Sequence, residues 1–415
     1  MREIIPIKKL DAEVRAPPAK AYTLRALFIA ALAKGQSILY DPLIAEDQEY
    51  AIAALKDLGV DIEEEADRLI IEGCDGRFNP VDKPLFIGNS GVTARVLAVL
   101  ASFAPGEVTI DGTERMRTGR PIQDLLDAIG PLGIRSGSNS GCPPIKISGE
   151  LLGGKTQLKG KKSSQYFSAI LMSGSYAKKA VEIETVGELY SKPYIDITID
   201  IMRKFGAKVT CDDYRRFRVE PTGYKGMGYK IEGDYSNAAY FFAAAAITGG
   251  RVKVTGIDPK SVQGDRRFVD FLEMMGCSVE RGDDYILVRG DRLKGITLDM
   301  QDYPDIVQPL AVVAAFAEGE STFHNISHLK YKECDRIEAP AAELRKMGIE
   351  VRTTEDSLTV VGGQPHGAEI DTYNDHRMAM SFAVAGLAVE GIFINDPENV
   401  NKSFPEFFEA MEGMR

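Results

Sequence analysis

The sequence is poor in the residues that build metal and redox sites. Its four histidines, His324, His328, His366 and His376, show no His-Glu-x-x-His spacing, so no zinc site of that kind is predicted. The five cysteines (Cys74, Cys142, Cys211, Cys277, Cys334) are scattered, odd in number and form no Cys-x-x-Cys pair. That argues against a structural zinc and a disulfide framework alike, and points to a reducing cytoplasm. No stretch approaches the roughly 20 uninterrupted apolar residues that span a bilayer. Met1 to Leu10 mixes Arg2, Glu3, Lys8 and Lys9 with short apolar pairs, unlike a signal peptide. A phosphate loop ending Gly-Lys-Ser/Thr, a dinucleotide fingerprint and a Gly-x-Ser-x-Gly elbow are all missing. Positive charge is in deficit too. A formal charge of −11 argues against nucleic acid or an anionic membrane as partner, so any anionic ligand needs a local basic cluster.

What the chain does have is repetition. Its 415 residues exceed one ordinary core, and two domains are expected. Six alanine-rich apolar helices are predicted, at Leu24–Lys34, Thr93–Ala104, Ser164–Tyr176, Ser236–Thr248, Asp305–Glu318 and Asp375–Val389. Five of them are followed by a glycine, at Gly35, Gly106, Gly250, Gly319 and Gly391, each read as closing its helix. A second set of periodic segments, such as "DIMRKFGAKV" and "AELRKMGIEV", ends at Gly59, Gly133, Gly206, Gly276 and Gly348, where left-handed caps are predicted. The period is about 70 residues, each copy alternating short strands with two helices. Three copies per domain make two domains, with the break expected near the glycine-rich run Pro221 to Gly233.

The apolar helix faces read as core, and the chemistry lies in their polar openings. Helix N-termini attract anions. The openings are "AKAYTLR", "GNSGVTAR", "KKSSQY", "GDYSNAAY", "YPDIVQ" and "YNDHR". Arg25, Arg95 and Arg377 each sit in a first turn, where a cation opposes the dipole, so each requires a separate reason. In "HLKYKECDRIEA", Lys332 and Arg336 are four apart and share a helix face, with Glu333 beside them. A solvated, salt-bridged helix explains that spacing.

Taken in order, eight segments resemble the 5-enolpyruvylshikimate-3-phosphate synthase family along essentially the whole chain. They are "LFIGNSGVTARVL", "RMRTGRPI", "SSQYFSAILM", "SKPYIDIT", "VQGDRRF", "KECDRI", "TYNDHRMAM" and "NKSFPEFF". The resemblance implies an α/β fold of two similar domains, each of three βαβαββ units in an inside-out α/β barrel, joined by a two-strand hinge. Residues 1–18 with 231–415 form one domain and 19–230 the other, with the active site in the cleft between them. It also implies transfer of the enolpyruvyl group of phosphoenolpyruvate to the 5-hydroxyl of shikimate 3-phosphate, by addition and then elimination. No metal or organic cofactor is implied, the partners are these small molecules alone, and a cytoplasmic monomer is expected.

Carried over by motif position, Lys20, Gly91, Arg120, Gln165, Lys332, Arg336, Arg377 and Lys402 face phosphoenolpyruvate. Lys20, Arg25, Ser163, Ser164, Gln165, Ser191, Tyr194, Asp305 and Lys332 face shikimate 3-phosphate. Asp305 matches the proton acceptor and Glu333 the proton donor, with Lys20 a further catalytic candidate. Two phosphates and two carboxylates in one site demand several fixed cations, and arginine's forked geometry suits them.

Three stretches depart from the family pattern. Pro17-Pro18-Ala19-Lys20-Ala21 replaces the usual Pro-Gly-Ser-Lys-Ser, and Ala21 lacks a hydroxyl that contacts the shikimate-phosphate moiety. Such a loss typically costs about 1.5–3 kcal/mol. Val92 stands where threonine is common, and His328 where asparagine is frequent. The alternatives weighed are the sister enzyme acting on UDP-N-acetylglucosamine, and a non-catalytic homologue. The sister enzyme typically has a cysteine in the loop that is Arg115 to Pro121 here, and this loop has none. The only support for a non-catalytic homologue is Ala19 and Ala21.

Overall fold

Helices that are apolar on every face must be buried on every side, and six such helices organise the structure. In a computed structural model describing residues 1–415 they are α1 (Lys20–Leu32), α2 (Gly91–Leu100), α3 (Ser164–Gly174), α4 (Tyr235–Thr248), α5 (Val307–Ala315) and α6 (His376–Gly386). The chain divides into two compact units, Pro18–Ile231 and Met1–Pro17 with Glu232–Arg415. In the first, α2 packs on both α1 and α3; in the second, α4, α5 and α6 pack pairwise. Each unit has its own apolar interior around these helices.

Sheets form the outer layer. Their strands alternate burial, as in Arg251–Thr255, where Val252 and Val254 point inward and Lys253 pairs outward with Glu13 at 3.2 Å. Five sheets are four-stranded with one repeated order: an edge strand parallel to the second, then two antiparallel strands. Leu85–Phe86, Val108–Asp111, Ile145–Gly149 and Ile134–Ser138 make one such sheet. Each repeat is therefore βαβαββ, and the fold is the two-domain inside-out α/β architecture.

Chain ends close the rings. In the first unit the strand Lys34–Tyr40 takes its parallel neighbour from Gly228–Lys230, at the far end of that unit. In the second, Arg251–Thr255 pairs in parallel with Asp11–Arg15, and Arg2–Ile4 completes the sixth, three-stranded sheet against Ile392–Ile394.

Two kinds of glycine were anticipated and one behaves as predicted. Gly59, Gly133, Gly206, Gly276 and Gly348 all take left-handed backbone after their helices. The other set does not cap helices. Gly35 lies inside the strand Lys34–Tyr40, α4 is capped by Gly249 rather than Gly250, and Gly106, Gly319 and Gly391 follow their helices by several residues. A third role went unpredicted: close approach of strand to helix. A Cβ on Gly362 would overlap the carbonyl oxygen of Ala317 and lie 2.9 Å from that of Ala314, both at the C-terminal end of α5. Gly73 and Gly290 face the ends of α1 and α4 in the same way. Gly362→Ala should therefore cost about 1–3 kcal/mol through overpacking against rigid backbone. Urea denaturation should show a lower midpoint than wild type, and an unchanged midpoint would remove the close-approach argument.

Candidate active site

The second unit concentrates charge at the opening of α6. Asp375 is fully buried and caps that helix, accepting the backbone N–H of Arg377 at 2.9 Å. The same carboxylate receives Arg336 through Nε at 2.7 Å and Nη2 at 3.1 Å. Arg336 also donates to Glu333 (2.9 Å) and to Asp305 (2.8 Å). Arg377 reaches the other oxygen of Asp305 at 3.0 Å and donates to the Tyr240 hydroxyl at 3.3 Å. Two guanidiniums thus join three carboxylates, and Asp305 is held by both. Burial alone would lower the pKa of Arg336, but Asp375, Glu333 and Asp305 outweigh it and push it above its ordinary value.

This network corrects one expectation. Lys332 and Arg336 do not share a helix face: a 3-10 turn ends at Tyr331, Lys332 is extended, and the next helix begins only at Glu338. Arg336 is buried rather than solvated. Ion pairs to α6 and to Asp305 fix the segment, overriding its i,i+4 spacing.

Around the network lie Lys402, buried at the end of the 3-10 helix Pro397–Lys402 that packs on α6, and His328. Burial, reinforced by Lys332, pushes the His328 pKa down to about 3, so its imidazole is neutral near pH 7. Asp265 is also buried and accepts a short hydrogen bond from the Ser236 hydroxyl in the first turn of α4. Burial and then the charge of Asp305 push its pKa up to about 7.

The first unit gathers its residues at the openings of α1, α2 and α3. Lys20 begins α1 and pairs with Asp47 at 2.7 Å. Arg25, one turn on, is buried. Its Nε donates to the Thr198 hydroxyl at 2.7 Å and its Nη1 to the Ala21 carbonyl at 3.0 Å, while Tyr194 lies 5.9 Å away as a ring face. Thr198 in turn contacts Ser168 of α3 at 2.8 Å. Burial holds Arg25 down to about 10.

At α2, Arg120 donates to the Asn89 carbonyl at 2.7 Å, and its guanidinium and that of Arg95 would each overlap a Cβ placed on Gly91. Arg95 also lies over the Tyr166 ring at 5.7 Å. Ser163 caps α3 by accepting from Gln165 N at 3.3 Å, Ser164 is buried beside it, and Ser191 opens the helix Lys192–Lys204 in left-handed backbone. Of the three arginines expected in first turns only Arg377 sits in one; Arg25 and Arg95 lie beyond the first turns of α1 and α2. Asp375, Asp265 and Arg95 lay inside quoted motifs without an assigned role. Asp47 carried no signal in the sequence.

Comparison with known proteins agrees with this geometry. Residues 4–411 match the family model of EPSP synthase (3-phosphoshikimate 1-carboxyvinyltransferase). The chain belongs to the EPSP synthase family. It is 47% identical over 409 residues to the 3-phosphoshikimate 1-carboxyvinyltransferase of Methanoculleus marisnigri, covering 97% of each chain. It is 44% identical over 413 residues to that of Shewanella loihica, covering 97% of this chain and 96% of the relative. EPSP synthase from Acinetobacter baumannii superposes with a TM-score of 0.82 at 27% identity, over 99% of this chain and 97% of that one. The enolpyruvyl transferase NikO from Streptomyces tendae has a TM-score of 0.80 at 17% identity over 99% and 96%, and shares the fold.

Asp265 offers a pH test. Its carboxyl normally titrates near 3.8 but is pushed up to about 7 in the folded chain. Between these values the folded state holds a proton that the unfolded state has released, so this group's contribution to stability falls as pH rises. Asp265→Asn removes that titration. Its stability relative to wild type should therefore climb with pH, by at most about 1.4 kcal/mol per unit, in unfolding curves from about pH 4 to 7. A flat difference would contradict the raised pKa.

Proposed function

We propose that this member of the family is a 3-phosphoshikimate 1-carboxyvinyltransferase using the residues described above. It transfers the enolpyruvyl group of phosphoenolpyruvate to the 5-hydroxyl of shikimate 3-phosphate and releases phosphate. The observation that carries the assignment of roles is Asp305, gripped on both oxygens by Arg336 and Arg377 with Glu333 on the same guanidinium. Addition needs a group to take the hydroxyl proton and another to protonate the methylene carbon. Asp305 takes the first and Glu333 gives the second, while the hydroxyl oxygen bonds to C2. The resulting tetrahedral ketal phosphate then loses phosphate and one methyl proton, which restores the double bond.

Arg336, Arg377, Lys332 and Lys402 in one unit, and Lys20 and Arg120 in the other, serve the phosphates and carboxylates as charge moves. Gly91 lets phosphoenolpyruvate approach the α2 backbone, with Gln165 beside it. Arg25, Ser163, Ser164, Ser191 and Tyr194 hold shikimate 3-phosphate. Lys20 and Lys332 contribute to both ligands. The protein acts as a monomer in the cytoplasm. No helix is long and apolar enough to cross a membrane.

At the first motif, the Ala21 carbonyl already serves Arg25, and Lys20 is steadied by Asp47. The lost hydroxyl thus leaves the cation placement intact, and the retention of Asp305 and Glu333 favours an enzyme over a disabled binder.

The decisive assay mixes the protein with both substrates and measures inorganic phosphate. Release is expected. None at millimolar substrates would refute the assignment, and release with UDP-N-acetylglucosamine instead would select the sister activity. Gly91→Ala adds a Cβ that overlaps the guanidiniums of Arg120 and Arg95. It should raise KM for phosphoenolpyruvate roughly tenfold, with KM for shikimate 3-phosphate little changed. Steady-state kinetics with each substrate varied in turn would show an unchanged phosphoenolpyruvate KM if Gly91 has no such role.

A further inference from the structure

The segment that delivers Asp375 and Arg377 is strained. Tyr373 and Asn374 both take left-handed backbone, with φ of 52° and 54°. Residues with a Cβ persist in that conformation only where their surroundings over-determine it. The Tyr373 ring does not supply the constraint by burial, since the residue is 42% exposed. Its hydroxyl does. It donates at 2.6 Å to Glu343 Oε1, on the helix Glu338–Lys346.

Glu343 is itself fully buried, and its other oxygen accepts the backbone N–H of Asp371 at 3.0 Å. One carboxylate thus holds the turn at both ends. Lys346 braces it, pairing with Glu343 at 2.8 Å and with Asp371 at 2.7 Å. Between the ends, Asn399 donates to the Thr372 hydroxyl at 2.8 Å and Asp375 N closes on the Thr372 carbonyl at 2.8 Å. Burial, and then the Glu343 hydrogen bond, push the Tyr373 phenol above its ordinary pKa, so the donor stays protonated near neutral pH.

The chain leaves this turn directly into Asp375 and α6. A small rotation there displaces the carboxylate that holds Arg336 and swings Arg377 away from Asp305. We propose that Glu343, acting through the Tyr373 hydroxyl, is a positioning residue for the phosphoenolpyruvate-facing arginines. Glu343 makes none of the assigned substrate contacts itself. It acts by locking the turn from which those arginines are aimed. The kinetic part of this inference rests on the function proposed above; the clamp itself does not.

Tyr373→Phe deletes one hydrogen bond to a charged acceptor and leaves the exposed ring in place. Glu343→Gln keeps an oxygen acceptor for the hydroxyl and serves as the conservative control. Two measurements are made on each folded variant. In kinetics, Tyr373→Phe should raise KM for phosphoenolpyruvate roughly tenfold, with KM for shikimate 3-phosphate within about twofold of wild type and Glu343→Gln in between. In hydrogen-exchange mass spectrometry, peptides covering residues 375–379 should exchange several-fold faster, with α4 and α5 unaffected. A lower melting temperature with both KM values unchanged would mean a structural role only and would overturn the proposal. So would unchanged exchange at 375–379. If the wild-type protein released no phosphate the functional assignment would fall, while the exchange measurement would still decide the clamp.

Discussion

A carboxylate with no solvent contact is stable only if its charge is met by hydrogen-bond donors and an opposite charge. Asp375 meets both conditions and orders the second unit in doing so. It satisfies the first turn of α6, anchors Arg336 by two nitrogens and accepts a weak hydrogen bond from the Cys334 thiol at 3.4 Å. Arg336 then fixes Asp305 and Glu333, and Arg377 closes back on Asp305. Removing either arginine leaves carboxylate charge unmatched, so the group behaves as one unit rather than as separable contacts.

The first unit solves the same problem with weaker partners. Arg25 is buried against one hydroxyl, a carbonyl and an aromatic ring, with no carboxylate among its direct donor contacts. Its pKa is accordingly held down, where that of Arg336 is pushed up. The contrast has a functional logic. A cation with incomplete compensation gains most from an incoming phosphate, which suits a ligand site. A cation saturated by carboxylates is rigid, which suits the alignment of an acid and a base.

Much of this was legible in the residues. All-round apolar helices predicted six buried helices, and the second glycine set predicted its left-handed caps. The segment 332–336 was misread because spacing reports only local geometry, while two long-range carboxylates, Asp305 and Asp375, determine the observed one. Ring closure by Asp11–Arg15 and Gly228–Lys230 left no periodic trace, since a strand's partner is a property of topology. Asp47 and Glu343 were invisible for a related reason. Each is one acidic residue among 61 Asp and Glu, and only its burial against a named partner marks it out.

The global charge explains why these cations come already paired. A chain of net charge −11 placing bare arginines in its interior would pay their full desolvation with nothing in return until substrate arrived. Holding Arg336 and Arg377 against Asp305, and Lys20 against Asp47, removes most of that cost and fixes the side chains in advance. The consequence is competition: an anion that binds these cations must share or displace a carboxylate. In the reaction proposed above, that competition has a use at Asp305. As a ligand draws on Arg336 and Arg377, their grip on the carboxylate weakens and its oxygens become stronger proton acceptors. Substrate binding and activation of the base are then the same electrostatic event.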